Sequence, residues 1–177
     1  MRIITGIARG TKLKTLPGEH TRPTTEKVKE AVFSAIQFEL HDRVMLDLFG
    51  GSGQMALEAL SRGAAKAVIL DNDRDAVGII KENAAKAKLM DKCVILNADW
   101  KDYIKHAKDK FSLLYLDPPY KEGFLDEVLA LIYSRDILAE NAIVICESDA
   151  AGIPVPPENA NCRVYRYGKT YVSIFRF

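Results

Sequence analysis

Histidine and cysteine are scarce in this 177-residue chain, with three of each. His20, His41 and His106 are scattered, and no zinc-ligand spacing joins them to cysteines. Cys93, Cys146 and Cys162 form no CxxC pair, and two of them stand in apolar, strand-like runs. That pattern predicts buried free thiols in a reducing compartment and no disulfide framework. No apolar stretch approaches the roughly 18 residues of a membrane span, and the N-terminus lacks the apolar segment of a signal peptide. The expectation is a cytoplasmic protein with no membrane partner. A net charge of +1 says nothing about an anionic partner at the level of the whole molecule. Internal repeats and low-complexity segments are also missing. What is present, 48% apolar and 28% charged residues, is ordinary for one globular domain with a proper core.

Residues 1–20 read as a small β unit. Short alternating segments, Arg2–Gly6 and Lys12–Leu16, flank Arg9-Gly10, and Pro17-Gly18 closes the unit. Thr24 or Thr25 then caps a helix whose apolar stripe (Val28, Ala31, Val32, Ala35, Ile36) carries it to about Leu40. Residues 1–30 hold seven basic groups against three acids, a local charge of +4 that leaves −3 for the rest. We read residues 1–43 as an N-terminal extension and 44–177 as the main domain.

From Val44 the chain alternates. Apolar runs at 44–49, 67–71, 93–97, 111–116 and 142–147 predict strands, separated by helices over 54–61, 73–89, 101–107 and 124–134. Val77, Ile80, Ala84, Ala87 and Ala85 are the expected inward face of the second of these helices. Residues 162–167 and 170–177 pair as a hairpin about Gly168-Lys169. Alternation of this kind makes a mostly parallel, doubly wound α/β sheet of Rossmann-like form, here with an antiparallel C-terminal strand and a small N-terminal hairpin and helix.

Chemistry concentrates at the strand tips. The first strand ends in Asp47 and Phe49 and leads into Gly50-Gly51-Ser52-Gly53 and a helix, a turn that lets a ligand approach backbone N–H groups. Asp71 ends the second strand 20 residues after Gly51, the distance for an acid that takes ribose hydroxyls; Asn72 follows it. Asp99 leaves the third tip, placed to accept from an adenine amino group or to cap the next helix. The fourth strand stops at Asp117-Pro118-Pro119-Tyr120. Its prolines cannot donate to a ladder and fix a stiff loop of carboxylate, outward carbonyls and a ring. Such a loop accepts hydrogen bonds from an exocyclic amine and stacks on a flat base; the same letters also suit a simple turn.

Gly51-x-Gly53-x-x-Ala56 with Asp71 satisfies a dinucleotide fingerprint as well. Asp47 argues for S-adenosylmethionine instead, because its charge suits a sulfonium and opposes a pyrophosphate. No catalytic His or Tyr-xxx-Lys pair of a dehydrogenase is visible.

Asp47-x-Phe49-x-Gly51-Ser52-Gly53 together with Asp117-Pro118-Pro119-Tyr120 is similar to the motifs of class I methyltransferases that modify exocyclic amines. The wider pattern resembles the RsmD family. It includes Arg2-Ile3-Ile4-x-Gly6, Arg9-Gly10-x-Lys12-Leu13, Arg22-Pro23-Thr24, Glu30-x-x-Phe33, Leu57 to Ala64, and Glu147-Ser148. Gly50 departs from the alanine or serine often found there, and the tail from Gly168 is only loosely similar. The resemblance implies an S-adenosylmethionine-dependent enzyme that makes N2-methylguanine in bacterial 16S ribosomal RNA, free or in a partly assembled small subunit. It implies Asp117, Pro118, Pro119 and Tyr120 as the catalytic loop, and Asp47, Phe49, Gly51, Gly53, Asp71, Asn72 and Asp99 around the cofactor. Arg22 would lie near the catalytic mouth, with Arg9, Lys12 and Lys14 on phosphates. The nearest alternative is an adenine-N6 methyltransferase using the same four-residue loop. A non-catalytic assembly factor and a dehydrogenase are the others.

Overall fold

A computed structural model describes residues 1–16, 25–118 and 123–177. Seven strands form one sheet: β1 (Val44–Asp47), β2 (Lys66–Asp71), β3 (Cys93–Asn97), β4 (Phe111–Leu116), β5 (Leu138–Ser148), β6 (Asn161–Tyr167) and β7 (Thr170–Arg176). Their spatial order is β3-β2-β1-β4-β5-β7-β6. The first five are parallel, and β7 runs antiparallel between β5 and β6. The tail thus adds two antiparallel strands where the sequence predicted pairing about Gly168-Lys169.

Among the described residues, five α-helices cover the sheet: α1 (Glu26–Ala35), α2 (Gln54–Ser61), α3 (Arg74–Lys86), α4 (Trp100–His106) and α5 (Phe124–Ser134). Apolar residues alternate along the parallel strands, so two cores form. Met45, Ile69, Leu113, Ile143 and Ile174 pack with α1, α2 and α3 on one face. Leu46, Leu70, Leu114, Val144 and Phe175 pack with α4 and α5 on the other. Ile3, Leu13, Val32 and Phe33 join the first core, so the start of the chain is fastened to the sheet domain.

Local signals place most element ends. Thr25 caps α1 by accepting from Val28 N at 3.3 Å. Gly63, with φ of +113°, follows the end of α2 in the left-handed region that stops a helix. Three expectations shift. Helix α1 stops at Ala35, short of Leu40, because Arg176 Nη2 takes the Ala35 carbonyl at 3.1 Å and ion-pairs with Glu39 at 2.8 Å. The N-terminal hairpin keeps a single antiparallel bridge, Arg2 to Lys12, since Glu58 and Ser61 of α2 bind the backbone that a partner strand would have used. On α3 the buried position is Asn83, and Ala85 points outward. Among the described residues, no helix is long and apolar enough to cross a membrane.

Candidate active site

Strand order fixes where a ligand sits. The chain goes from β1 to β2 on one side and later returns to β4 on the other, so a crevice opens at the carboxyl ends of β1 and β4. Register sets the levels of the acids. Asp47 lies opposite Ile69 and Tyr115. Asp71 and Asp117 therefore stand two residues beyond it on the flanking strands, about 10 Å apart across two strand spacings. Three carboxylates converge on one edge.

Asp47 is 1% exposed. Its one hydrogen bond among the described residues comes from Phe49 N at 3.4 Å. Burial, with the nearby Asp71 charge adding to it against that weak bond, pushes its carboxyl up to about 7. Asp71 ties down the glycine loop: Oδ2 accepts from Gly51 N at 2.8 Å and Oδ1 from Asp73 N at 2.9 Å. Each oxygen keeps a second lone pair for a hydroxyl donor. Gly51 and Gly53 have φ of +55° and +76°, a conformation that glycine adopts without strain. A Cβ at Gly51 would meet no atom within 4 Å, so the loop faces open space.

Gly50 is confined by contrast. A Cβ there would come within 2.7 Å of Ile69 Cγ2 and 2.9 Å of Ile80 Cδ1. The glycine that departs from the family pattern makes room for these two isoleucines in this chain. Phe49 is half-buried and meets Trp100 and Phe124 at ring-centroid distances of 6.5 and 6.0 Å. This aromatic cluster was not anticipated; Trp100, the sole tryptophan, beside an acid-bearing tip is the signal that marked it.

Asp99 caps α4, its Oδ1 accepting from Lys101 N and Asp102 N at 2.8 and 3.1 Å. Asn72 is exposed at the crevice rim. Asp117 is half-buried and Pro118 buried at the β4 tip. Pro119 and Tyr120 of the same motif, and Arg22, lie outside the described residues. Beneath Asp117 on the same face, Tyr115 donates its OH to Glu147 Oε2 at 2.6 Å, a buried pair joining β4 and β5.

The N-terminal basic residues separate. Arg9 sits on the loop that binds Ser61, at the end of α2 farthest from the crevice. Lys12 is exposed opposite Arg2. Lys14 gives its ammonium to Glu82, and its backbone bonds both ways to Asn83: N donates to Oδ1 at 2.8 Å and Nδ2 returns to its carbonyl at 3.0 Å. Asn83 Nδ2 also reaches Ser52 O at 2.9 Å, so one buried amide joins the arm to the glycine loop. A polar residue on the otherwise apolar face of α3 was the sequence signal for it.

Switch-point crevice, glycine loop and an acid at each adjoining tip define a class I methyltransferase fold, whose cofactor is S-adenosylmethionine. The chain matches the family described as Conserved hypothetical protein 95 over residues 1–176. YlbH of Bacillus subtilis (strain 168) is 35% identical over 182 residues, 99% of this chain and 98% of that one. Ribosomal RNA small subunit methyltransferase D of Escherichia coli (strain K12) is 34% identical over 160 residues, covering 90% of this chain and 80% of its own. The solved structure of yhhF from Escherichia coli matches with a TM-score of 0.89 at 32% identity, covering 99% of this chain and 97% of that chain. The chain belongs to this family, the one its motifs resemble under the name RsmD.

Proposed function

We propose that this protein transfers a methyl group from S-adenosylmethionine to the exocyclic N2 amine of a guanine in bacterial 16S ribosomal RNA, on an assembling small subunit. One observation carries the reading: Asp47, Asp71 and Asp117 stand on three adjacent strands around the switch point, the middle one buried and nearly without donors. The relative named as an RNA methyltransferase supports the substrate class. The charge of residues 1–30 supports a polyanion, and their small size suits a particle whose bound proteins complete the contacts.

The residues present fit the cofactor. Asp47 is a buried carboxylate that a sulfonium or ammonium would satisfy, and Asp71 has lone pairs left for ribose hydroxyls. Gly51 leaves the loop open, Gly53 lets it pack closely on Ile80, Phe49 lies beside it and Asn72 stands at its rim. Asp99 offers the adenine amine Oδ2, since Oδ1 is turned to its own helix.

S-adenosylmethionine, when bound, supplies an electrophilic methyl group. The chain does the rest. A guanine amine is a poor nucleophile because its lone pair is delocalised into the ring. Asp117 and the Pro118 carbonyl accept its two N–H bonds, which lets the nitrogen pyramidalise and frees the lone pair. Positioning and local electrostatics supply the acceleration. The nitrogen gains the methyl and loses one proton, which Asp117 is placed to take. Tyr120 stacks on the base, which must first leave its helix.

Asp117→Ala tests this. Cofactor affinity by calorimetry should stay within about twofold, while methylation falls at least ~100-fold, the scale expected for losing a charge-positioned acceptor. A fully active variant would sink the mechanism.

A further inference from the structure

We propose that the tip of the β6–β7 hairpin is a second RNA-contacting surface, gripping the phosphate backbone beside the nucleotide held at Asp117. This rests on the ribosomal RNA reading above and concerns a segment to which that reading gives no part.

Charge is the first support. Residues 161–177 contain Arg163, Arg166, Lys169 and Arg176 and no acid. Arg176 is occupied by Glu39 at the far end of β7. Arg163, Arg166 and Lys169 are exposed, and none forms an ion pair among the described residues. Unpaired cations on a hairpin that itself carries no acid are what a polyanion finds.

Position is the second. Ser148 at the end of β5 pairs with Tyr171, Tyr171 with Arg166, and Tyr167 with Thr170. Because β7 is antiparallel, the Gly168-Lys169 turn projects from the same sheet edge that carries Asp117. Three strand spacings separate β4 from β6, so the tip is about 14 Å from the catalytic strand. At about 3.4 Å per nucleotide along one strand, that separation is about four nucleotides. Arg9, in contrast, lies at the opposite end of α2.

Rigidity is the third. Gly168 takes φ of +67° at the first loop position, as a two-residue hairpin turn requires. Arg166 Nε donates to Gly168 O at 3.1 Å, and its guanidinium carbon stands 5.6 Å from the Tyr171 ring centroid. These two contacts hold the guanidinium at the turn, and its terminal N–H groups make no other hydrogen bond among the described residues, which leaves them for a phosphate to accept bidentately. Asp149, one residue past Ser148, turns its Oδ1 to the N–H groups of Ala151 and Gly152.

The test compares the full chain with the double variant Arg166→Glu/Lys169→Glu. A charge-matched control, Lys81→Glu/Lys86→Glu, sits on exposed α3 near the other edge of the sheet. Binding to protein-free 16S ribosomal RNA and to unmodified small subunits is measured from 50 to 200 mM salt, with cofactor affinity by calorimetry alongside. The hairpin variant should bind at least ~10-fold more weakly at low salt. Its log–log salt slope should be shallower by about 1.4 for two lost phosphate contacts, with cofactor affinity unchanged. The control should keep the wild-type slope. Equal losses in both variants would mean a net-charge effect and overturn the assignment. So would an unchanged hairpin variant, with the proposed reaction left standing. Failure of the wild type to bind either RNA would remove the reading underneath as well.

Discussion

A buried carboxylate that accepts one long hydrogen bond holds its proton to a higher pH than a solvated one, and a positive charge beside it would favour its release. Asp47 is held that way, its carboxyl pushed up to about 7 from 3.8 by burial first. The sign follows. Between these values the ligand-free folded protein holds a proton that the unfolded chain releases, so stability falls as pH rises through the window. The loss is complete above about 7 and amounts to about 4 kcal/mol for three pH units. Denaturant titrations of wild type and Asp47→Asn from pH 4 to 8 should show this slope in the former and its flattening in the latter. A cationic cofactor favours the ionised form, so binding at pH 6 should release a proton. Calorimetry in buffers of different ionisation enthalpy reads that release; proton-neutral binding would count against Asp47 as the cation's partner. At this scale the sequence was legible where a residue type is costly to bury without purpose, as with Asp47. It was opaque where one letter serves two ends. Asp99 is a helix cap in the structure and offers a ligand only its other oxygen.

Elements are held in place by polar groups that periodicity treats as noise. Glu58 is fully buried in α2, and its two oxygens accept from Ile4 N at 2.7 Å, Thr5 N at 3.0 Å and Arg62 Nε at 2.7 Å. Lys29 Nζ stands 3.8 Å away and donates to Arg2 O at 2.6 Å. Burial lowers the Lys29 pKa, opposed by the Glu58 charge. Glu58→Gln leaves two cations without their counter-charge and should cost about 3 kcal/mol. Hydrogen exchange should speed up at Ile4 and Thr5 before it does so in β1; uniform protection would show that the clamp is not what fastens the arm. The limits of α2 were readable because glycine stands at both of its ends. The end of α1 was not, because its stop is Arg176, 141 residues on. The same holds for Asn83, whose partners on the glycine loop and the arm are distant in the chain.

At the scale of the whole molecule, the parallel sheet came from alternation of strand and helix, which leaves few ways to wind. The placement of the tail did not, since a hairpin signal says nothing about which edge it joins. Its antiparallel entry beside β5 brings the Gly168-Lys169 turn to the sheet edge that carries Asp117, and the topology turns two separate sequence features into neighbours. The identity of the reacting group decides the function. The direct measurement is transfer of label from S-adenosylmethionine to unmodified small subunits, to protein-free 16S ribosomal RNA and to DNA, followed by digestion and identification of the modified nucleoside. The predicted product is N2-methylguanosine, formed best on the subunit and lost in Asp117→Ala. N6-methyladenine as the product, from RNA or DNA, would contradict the account, as would no transfer to any of the three.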